Sequence, residues 1–133
     1  MDTTTALIVF AGITLFAMAT EIMYTYATRG LAFGFSSNRA VVEKTGLARR
    51  IERAYLNQTE SAAYIVPALA AASLLDVQTA GIGIAAALIV FGRAGFIATY
   101  YTGVSFIRVP FFVCGSFGSL YVVFSVLMHT AAR

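Results

Sequence analysis

Arg50-Ile51-Glu52-Arg53-Ala54-Tyr55-Leu56-Asn57-Gln58-Thr59-Glu60 runs directly into an apolar segment long enough to cross a lipid bilayer. Within it Arg50, Arg53, Asn57 and Glu60 stand at offsets of three, seven and ten residues. At helical spacing these four side chains share one face. A charged group inside hydrocarbon costs about 2.5–3.5 kcal/mol on insertion scales. A row of such groups at the edge of a membrane helix therefore marks a binding site.

Working outward, the rest of the chain supplies the membrane. Only 11% of its 133 residues are charged and 59% are hydrophobic, whereas soluble domains carry about 25% charged residues. Four apolar runs of spanning length fill one domain: about residues 6–27, 47–75, 80–101 and 109–128. The first is long, follows Asp2 rather than a basic segment, and reads as an anchor rather than a cleaved signal. The second begins near Thr45 as N-cap, exceeds the bilayer core in length, and contains Pro67, which predicts a mild kink. Asp76-Val77-Gln78-Thr79 is a short connection, so the second and third spans form an antiparallel hairpin. The expected fold is an all-α, four-transmembrane-helix bundle with up-down topology.

Basic residues fall mainly on one side. Arg29, Arg39, Lys44, Arg49, Arg50 and Arg53 surround the first loop, and Arg108 lies in the third. The opposite side offers Arg133 together with Asp2 and Asp76. The positive-inside rule then puts both termini on the non-cytoplasmic side and the polar row just below the cytoplasmic face. The basic excess is topological, and no aromatic-plus-basic pattern for nucleic acid occurs.

At similar depth on the third span lies Arg93, which we expect to pair with Glu60, since an unpaired charge there is costly. Such a bridge either supports a ligand site or merely sets helix register. Arg93, Phe96 and Tyr100 share a face toward the cytoplasm, though a tyrosine at the interface also suits an aromatic belt. Arg108, two residues before Pro110, reads on sequence pattern alone as a topology anchor reaching lipid phosphate. Glu21 either neutralises a neighbouring arginine or touches a ligand. Together the arginines, amide and carboxylate suit an anionic small molecule, because guanidinium forks match carboxylates. They do not suit a metal: His129 stands at the far end and Cys114 is alone, reading as a buried, inert thiol.

At these residues the chain resembles the MAPEG family, membrane-associated proteins in eicosanoid and glutathione metabolism, in its small bacterial form. The family signature Arg-x-x-Arg-Ala-x-x-Asn-x-x-Glu is reproduced by Arg50, Arg53, Ala54, Asn57 and Glu60. Phe91 through Tyr101, with Arg108 and Pro110, is similar to its third-to-fourth helix segment apart from about one residue in the turn. The resemblance implies a homotrimer in the membrane (the cell inner membrane if bacterial) binding glutathione as co-substrate between subunits. It implies ligand contacts by Arg50, Arg53, Asn57, Glu60 and Tyr100, an Arg93–Glu60 support, and Arg108 as the catalytic residue stabilising the thiolate. A lipophilic electrophile or lipid hydroperoxide would enter from the bilayer.

Phe96, Ser61, Phe111 and Phe112 depart from the family, standing where catalytic relatives often carry tyrosine, histidine or another aromatic residue. They keep open a non-catalytic subunit packing in a larger membrane complex. A small transporter with Glu21, Glu60 and Arg93 as relay is the third reading, weakened by the absence of inverted repeats.

Overall fold

The computed structural model describes residues 1–38 and 41–132. Arg39 and Arg133, both part of the charge asymmetry, lie outside the described residues. Five helices follow one another: α1 (Thr3–Arg29), α2 (Leu31–Phe35), α3 (Gly46–Leu74), α4 (Ala80–Thr102) and α5 (Arg108–Ala131). The four long ones correspond to the four apolar runs of the sequence, and α2 is an added single turn.

Local chemistry sets their limits. Asp2 caps α1, its carboxylate accepting from the Thr5 amide at 2.8 Å, and Thr79 caps α4 by accepting from the Ile82 amide at 3.2 Å. These side chains satisfy amides that the first helical turn leaves without partners. At the other end α4 stops at Gly103, whose φ of 82° is left-handed, a backbone region that favours glycine. Thr45 is the N-cap residue of α3, as the sequence suggests, but its side chain makes no capping bond. The apolar 32–35 segment folds into α2 and returns to α1, the Tyr26 and Phe35 ring centroids lying 5.7 Å apart. Pro67 is accommodated within the continuous α3.

Contacts along the helices establish an up-down order. Thr4 meets Ser73 and Thr14 meets Gln58, so α1 and α3 are antiparallel. Arg93 meets Gln58 while Arg50 reaches the Tyr101 carbonyl, so α3 and α4 are antiparallel too. α5 returns along α4, with Gly115 beside Arg93 and Gly118 beside Ala85. The bundle core is formed by Ala6 and Phe10 of α1, Ile65 and Leu69 of α3, Ile89 of α4 and Val122 of α5.

Three helices, α1, α4 and α5, are long and apolar enough to cross a membrane. The first half of α3 carries the charged row, which lowers its hydropathy. Over 29 residues α3 extends about 43 Å at 1.5 Å per residue, beyond the roughly 30 Å hydrocarbon core. Large apolar side chains such as Leu15, Phe16, Phe91, Phe117 and Phe124 face outward. An outer surface of that kind suits surrounding lipid, because isolated water-soluble domains seldom expose so much contiguous apolar area.

Candidate functional site

At about 100° per residue, the row Arg50, Arg53, Asn57 and Glu60 lies roughly a quarter turn from the core stripe of α3. That stripe holds the buried Ile51, Ala54, Gln58, Ser61 and Ile65. The row is thus at the edge of the packed face. Arg53 and Glu60 are exposed, and Arg50 and Asn57 are half-buried. Neither Arg53 nor Glu60 takes a hydrogen bond or ion pair among the described residues. Arg50 is used structurally: its Nε donates to the Tyr101 carbonyl at 3.3 Å, and its guanidinium lies 3.3 Å from the position of a Cβ at Gly103. It ties the start of α3 to the end of α4.

Arg93 is fully buried and does not pair with Glu60 within the chain. Its Nε donates to Gln58 Oε1 at 2.9 Å, and its Nη2 donates to Asn57 Oδ1 at 2.9 Å and to the Asn57 carbonyl at 3.1 Å. The expected carboxylate is replaced by two amides because Asn57 and Gln58 face α4. Glu60, two residues beyond Gln58, is turned roughly 160° away. Matching depth does not ensure matching direction. The guanidinium also lies 5.0 Å from the centre of the Phe96 ring, and Gly115 makes room for its stem.

Gln58 is the residue that sequence reasoning missed. It is fully buried and passes the network on, its Nε2 donating to Thr14 Oγ1 at 2.9 Å. The signal was present: Gln58 interrupts the apolar stripe of Ile51, Ala54 and Ile65, and a buried amide requires partners.

From Arg93 an aromatic series leads to the basic end of the bundle. Phe96 and Tyr100 ring centroids are 5.2 Å apart, and the Arg108 guanidinium stands 4.6 Å from the Tyr100 ring centre. Arg108 opens α5 and is half-buried. Within one chain no hydrogen bond or ion pair among the described residues joins Tyr100 or Arg108 to Arg53, Asn57 or Glu60. The two halves of the expected site share one end of the bundle without closing on each other.

A cavity of about 330 Å³ at this same end is bounded by α1, α2, the following loop and α3, with Glu21, Tyr24, Arg29, Lys44 and Ala48 in its wall. It contains none of the six expected ligand or catalytic residues. Glu21 finds its partner there: Lys44 Nζ lies 2.8 Å from Glu21 and 2.9 Å from Glu52, so a loop lysine takes the place of the arginine considered from sequence. Partial burial pulls the Lys44 pKa down, but hydrogen bonds to Glu21 and Glu52 outweigh it and raise the value above the usual 10.5. A raised lysine pKa contributes stability in full below the unfolded value and loses it as pH rises through the folded one. Lys44→Met is accordingly expected to lower stability by at most about 1 kcal/mol at neutral pH, the pair being partly solvated. Thermal unfolding of both proteins should show that difference hold up to about pH 10.5 and fade as pH rises through the raised value beyond it.

Apolar grooves also open on the outer surface of the bundle, two of them beside α4. One, of about 540 Å³, runs between α1 and α4 past Phe16, Ile97 and Tyr101. The other, of about 440 Å³, runs between α4 and α5 past Leu88, Cys114 and Phe117. Cys114 is half-buried, less enclosed than its sequence context suggests.

No curated protein and no solved structure matches the chain. A family model does: the one described as the MAPEG family matches residues 3–128. That stretch takes in the charged row, the Arg93 network, Tyr100 and Arg108, and runs through every helix described above. Its near-complete coverage places the chain in the MAPEG family, as an integral membrane protein of the group associated with glutathione and eicosanoid metabolism.

Proposed function

We propose that the protein is a glutathione-dependent membrane enzyme, of transferase or peroxidase type, acting on lipophilic electrophiles or lipid hydroperoxides. The observation that carries this reading is the edge-on row of α3. Arg53 and Glu60 are exposed charges of opposite sign beside the half-buried Asn57, without partners of their own among the described residues. Such a set complements a molecule bearing both carboxylates and an ammonium group. In this reading all four long helices span the membrane, both termini are non-cytoplasmic, and the protein is a homotrimer. The row of one subunit and Tyr100 with Arg108 of the next then enclose one ligand.

Arg108 would supply the chemistry. A free thiol has a pKa near 8.5–9, and a guanidinium beside it favours the nucleophilic anion. Stacked against Tyr100, Arg108 is held at the mouth of the bundle, where a thiolate could meet an apolar substrate arriving from lipid. The open grooves beside α4 fit such arrival.

Titration of the detergent-solubilised protein with glutathione tests the reading. Saturable binding is expected, and Arg53→Ala should weaken it about 10- to 100-fold, the range for losing a charge-assisted hydrogen bond of about 1.5–3 kcal/mol. Absence of saturable binding, or an Arg53→Ala protein that binds as tightly as wild type, would overturn it. The second reading is a non-catalytic subunit of a larger membrane complex. It draws on Phe96, which is 5% exposed and carries no hydroxyl to contact a ligand. Stoichiometric co-purification with larger membrane proteins, without thiol chemistry, would favour it.

A further inference from the structure

The basic end of the bundle is not finished in polar groups. After Arg29 the backbone turns at Gly30, whose φ is 82°, and α2 folds back instead of running on into water. Gly34 seats on the Tyr26 ring so closely that no Cβ would fit between them, and Tyr26 lies about one turn before the end of α1. At 1.5 Å per residue, that contact returns α2 about 4–5 Å toward the lipid. Leu31-Ala32-Phe33-Gly34-Phe35 includes no polar side chain. Gly34 turns inward onto Tyr26, and Phe33 turns into the cavity wall. Leu31 and Phe35, at i and i+4, share the outer face and are 62% and 75% exposed.

A second apolar tip lies at the same end, where α4 hands over to α5. A connection in water is ordinarily built of polar and turn-forming residues. Here Val104, Phe106 and Ile107 are exposed, Phe106 by 86%. Tyr24 and Tyr26 precede the first tip, and Tyr100 and Tyr101 precede the second, in the last turns of α1 and α4. Aromatic belts take that position at a membrane boundary.

Charge and area decide what covers these tips. Arg29, joined to Leu31 through Gly30, takes no hydrogen bond or ion pair among the described residues, so its charge is left for an anion outside the chain. A phospholipid offers both parts together, a phosphate for the guanidinium and an acyl chain for the apolar face, the division that a snorkelling arginine makes. A protein partner fits less well. Among the described helices α2 touches only α1, and a face of one turn falls far short of the roughly 800 Å² per partner that a stable interface buries.

We propose that α2 and the α4–α5 turn are membrane feet, seated at the boundary between headgroups and acyl chains in the leaflet at the basic end. The inference needs only that the protein is integral to the membrane and is independent of the glutathione reading. Arg108 follows Ile107 directly, so the second foot holds the mouth of the candidate site at the level of the lipid rather than in water.

The chain contains no tryptophan, so Phe35→Trp and Phe106→Trp each place a single fluorophore on one foot. Gln78→Trp places one on the exposed polar connection at the opposite end. The proteins are compared in phosphatidylcholine nanodiscs with and without bromine near the headgroup end of the acyl chains. Both foot variants are expected to lose at least about half their emission to brominated lipid and to be at least about threefold less open to aqueous iodide than Gln78→Trp, as for side chains about 5–10 Å into the boundary. Leu31→Trp repeats the measurement on α2 while leaving the Tyr26–Phe35 ring contact in place. Iodide quenching at either foot as strong as at Gln78→Trp would overturn the proposal, because the tip then stands in water. Emission shielded from iodide and bromine alike would overturn it too, because a second copy or another protein then covers the tip.

Discussion

Arg93→Ala should lower stability by about 2–5 kcal/mol, read as a fall in the temperature or denaturant concentration at which the helical signal is lost in mild detergent. Removing the guanidinium leaves the side-chain oxygens of Asn57 and Gln58 unpaired, and charge-assisted bonds of this kind contribute about 1.5–3 kcal/mol each. Burying one fewer charge offsets about 2.5–3.5 kcal/mol of that. What remains uncompensated is space. Arg93 is the largest fully buried side chain among the described residues, and truncating a large buried side chain costs about 2–5 kcal/mol. Arg93→Lys should recover little, because a compact ammonium keeps the charge but cannot fork across two amides. If Arg93→Ala were as stable as wild type, the buried network would not be holding α3 to α4.

Gly92→Leu is the second large effect, and it acts through shape. A Cβ at Gly92 would lie 2.6 Å from the Phe111 carbonyl oxygen and 2.7 Å from the Gly115 amide nitrogen. Both obstacles are backbone, so no side chain can step aside. The helices must separate, and the fit at Gly118, where a Cβ would be 2.9 Å from the Ala85 carbonyl oxygen, is lost with it. Overpacking typically costs about 1–3 kcal/mol, and leucine at this position should reach or exceed the upper end. Gly12→Ala is the matched control: nothing lies within 4 Å of its Cβ position. Alanine there should be neutral or stabilising by about 0.5–1 kcal/mol, because glycine is a poor helix former. Thermal unfolding of the two variants side by side would distinguish close packing from a general effect of replacing glycine.

The helices were legible because the bilayer imposes their length. Runs of about twenty apolar residues, separated by polar breaks, leave few other solutions. Boundaries shifted by up to three residues, as at the start of α1 capped by Asp2, while α4 begins after its Thr79 cap where the sequence puts it.

Within the site, the charged row of α3 was legible from spacing alone, and so was its place beside the bundle's basic end. The partner of Arg93 was not. Depth along a helix can be counted from the membrane surface, but direction around it depends on which neighbour packs where, and a difference of two residues reverses it. Charge complementarity pointed to Glu60; packing assigned Asn57 and Gln58. Gln58 was overlooked because it lacks charge, although its position among Ile51, Ala54 and Ile65 identifies it as a core amide. Lys44 bridging Glu21 and Glu52 joins a loop to two helices, a contact that no spacing rule encodes.

The two sides of α4 are held by different means. Toward α1 and α3, directional bonds run from Arg93 through Gln58 to Thr14, so hydrogen bonds tie these three helices together. Toward α5, no hydrogen bond crosses among the described residues; small residues in close contact, the Phe91–Phe111 and Phe96–Phe112 ring pairs and the stacking of Arg108 on Tyr100 make the interface. α5 is therefore held in register on α4 by shape rather than by hydrogen bonds, backbone seated against backbone at Gly92 and Gly118. Since Arg108 is its first residue, that same fit of backbone on backbone sets where its guanidinium stands over the Tyr100 ring.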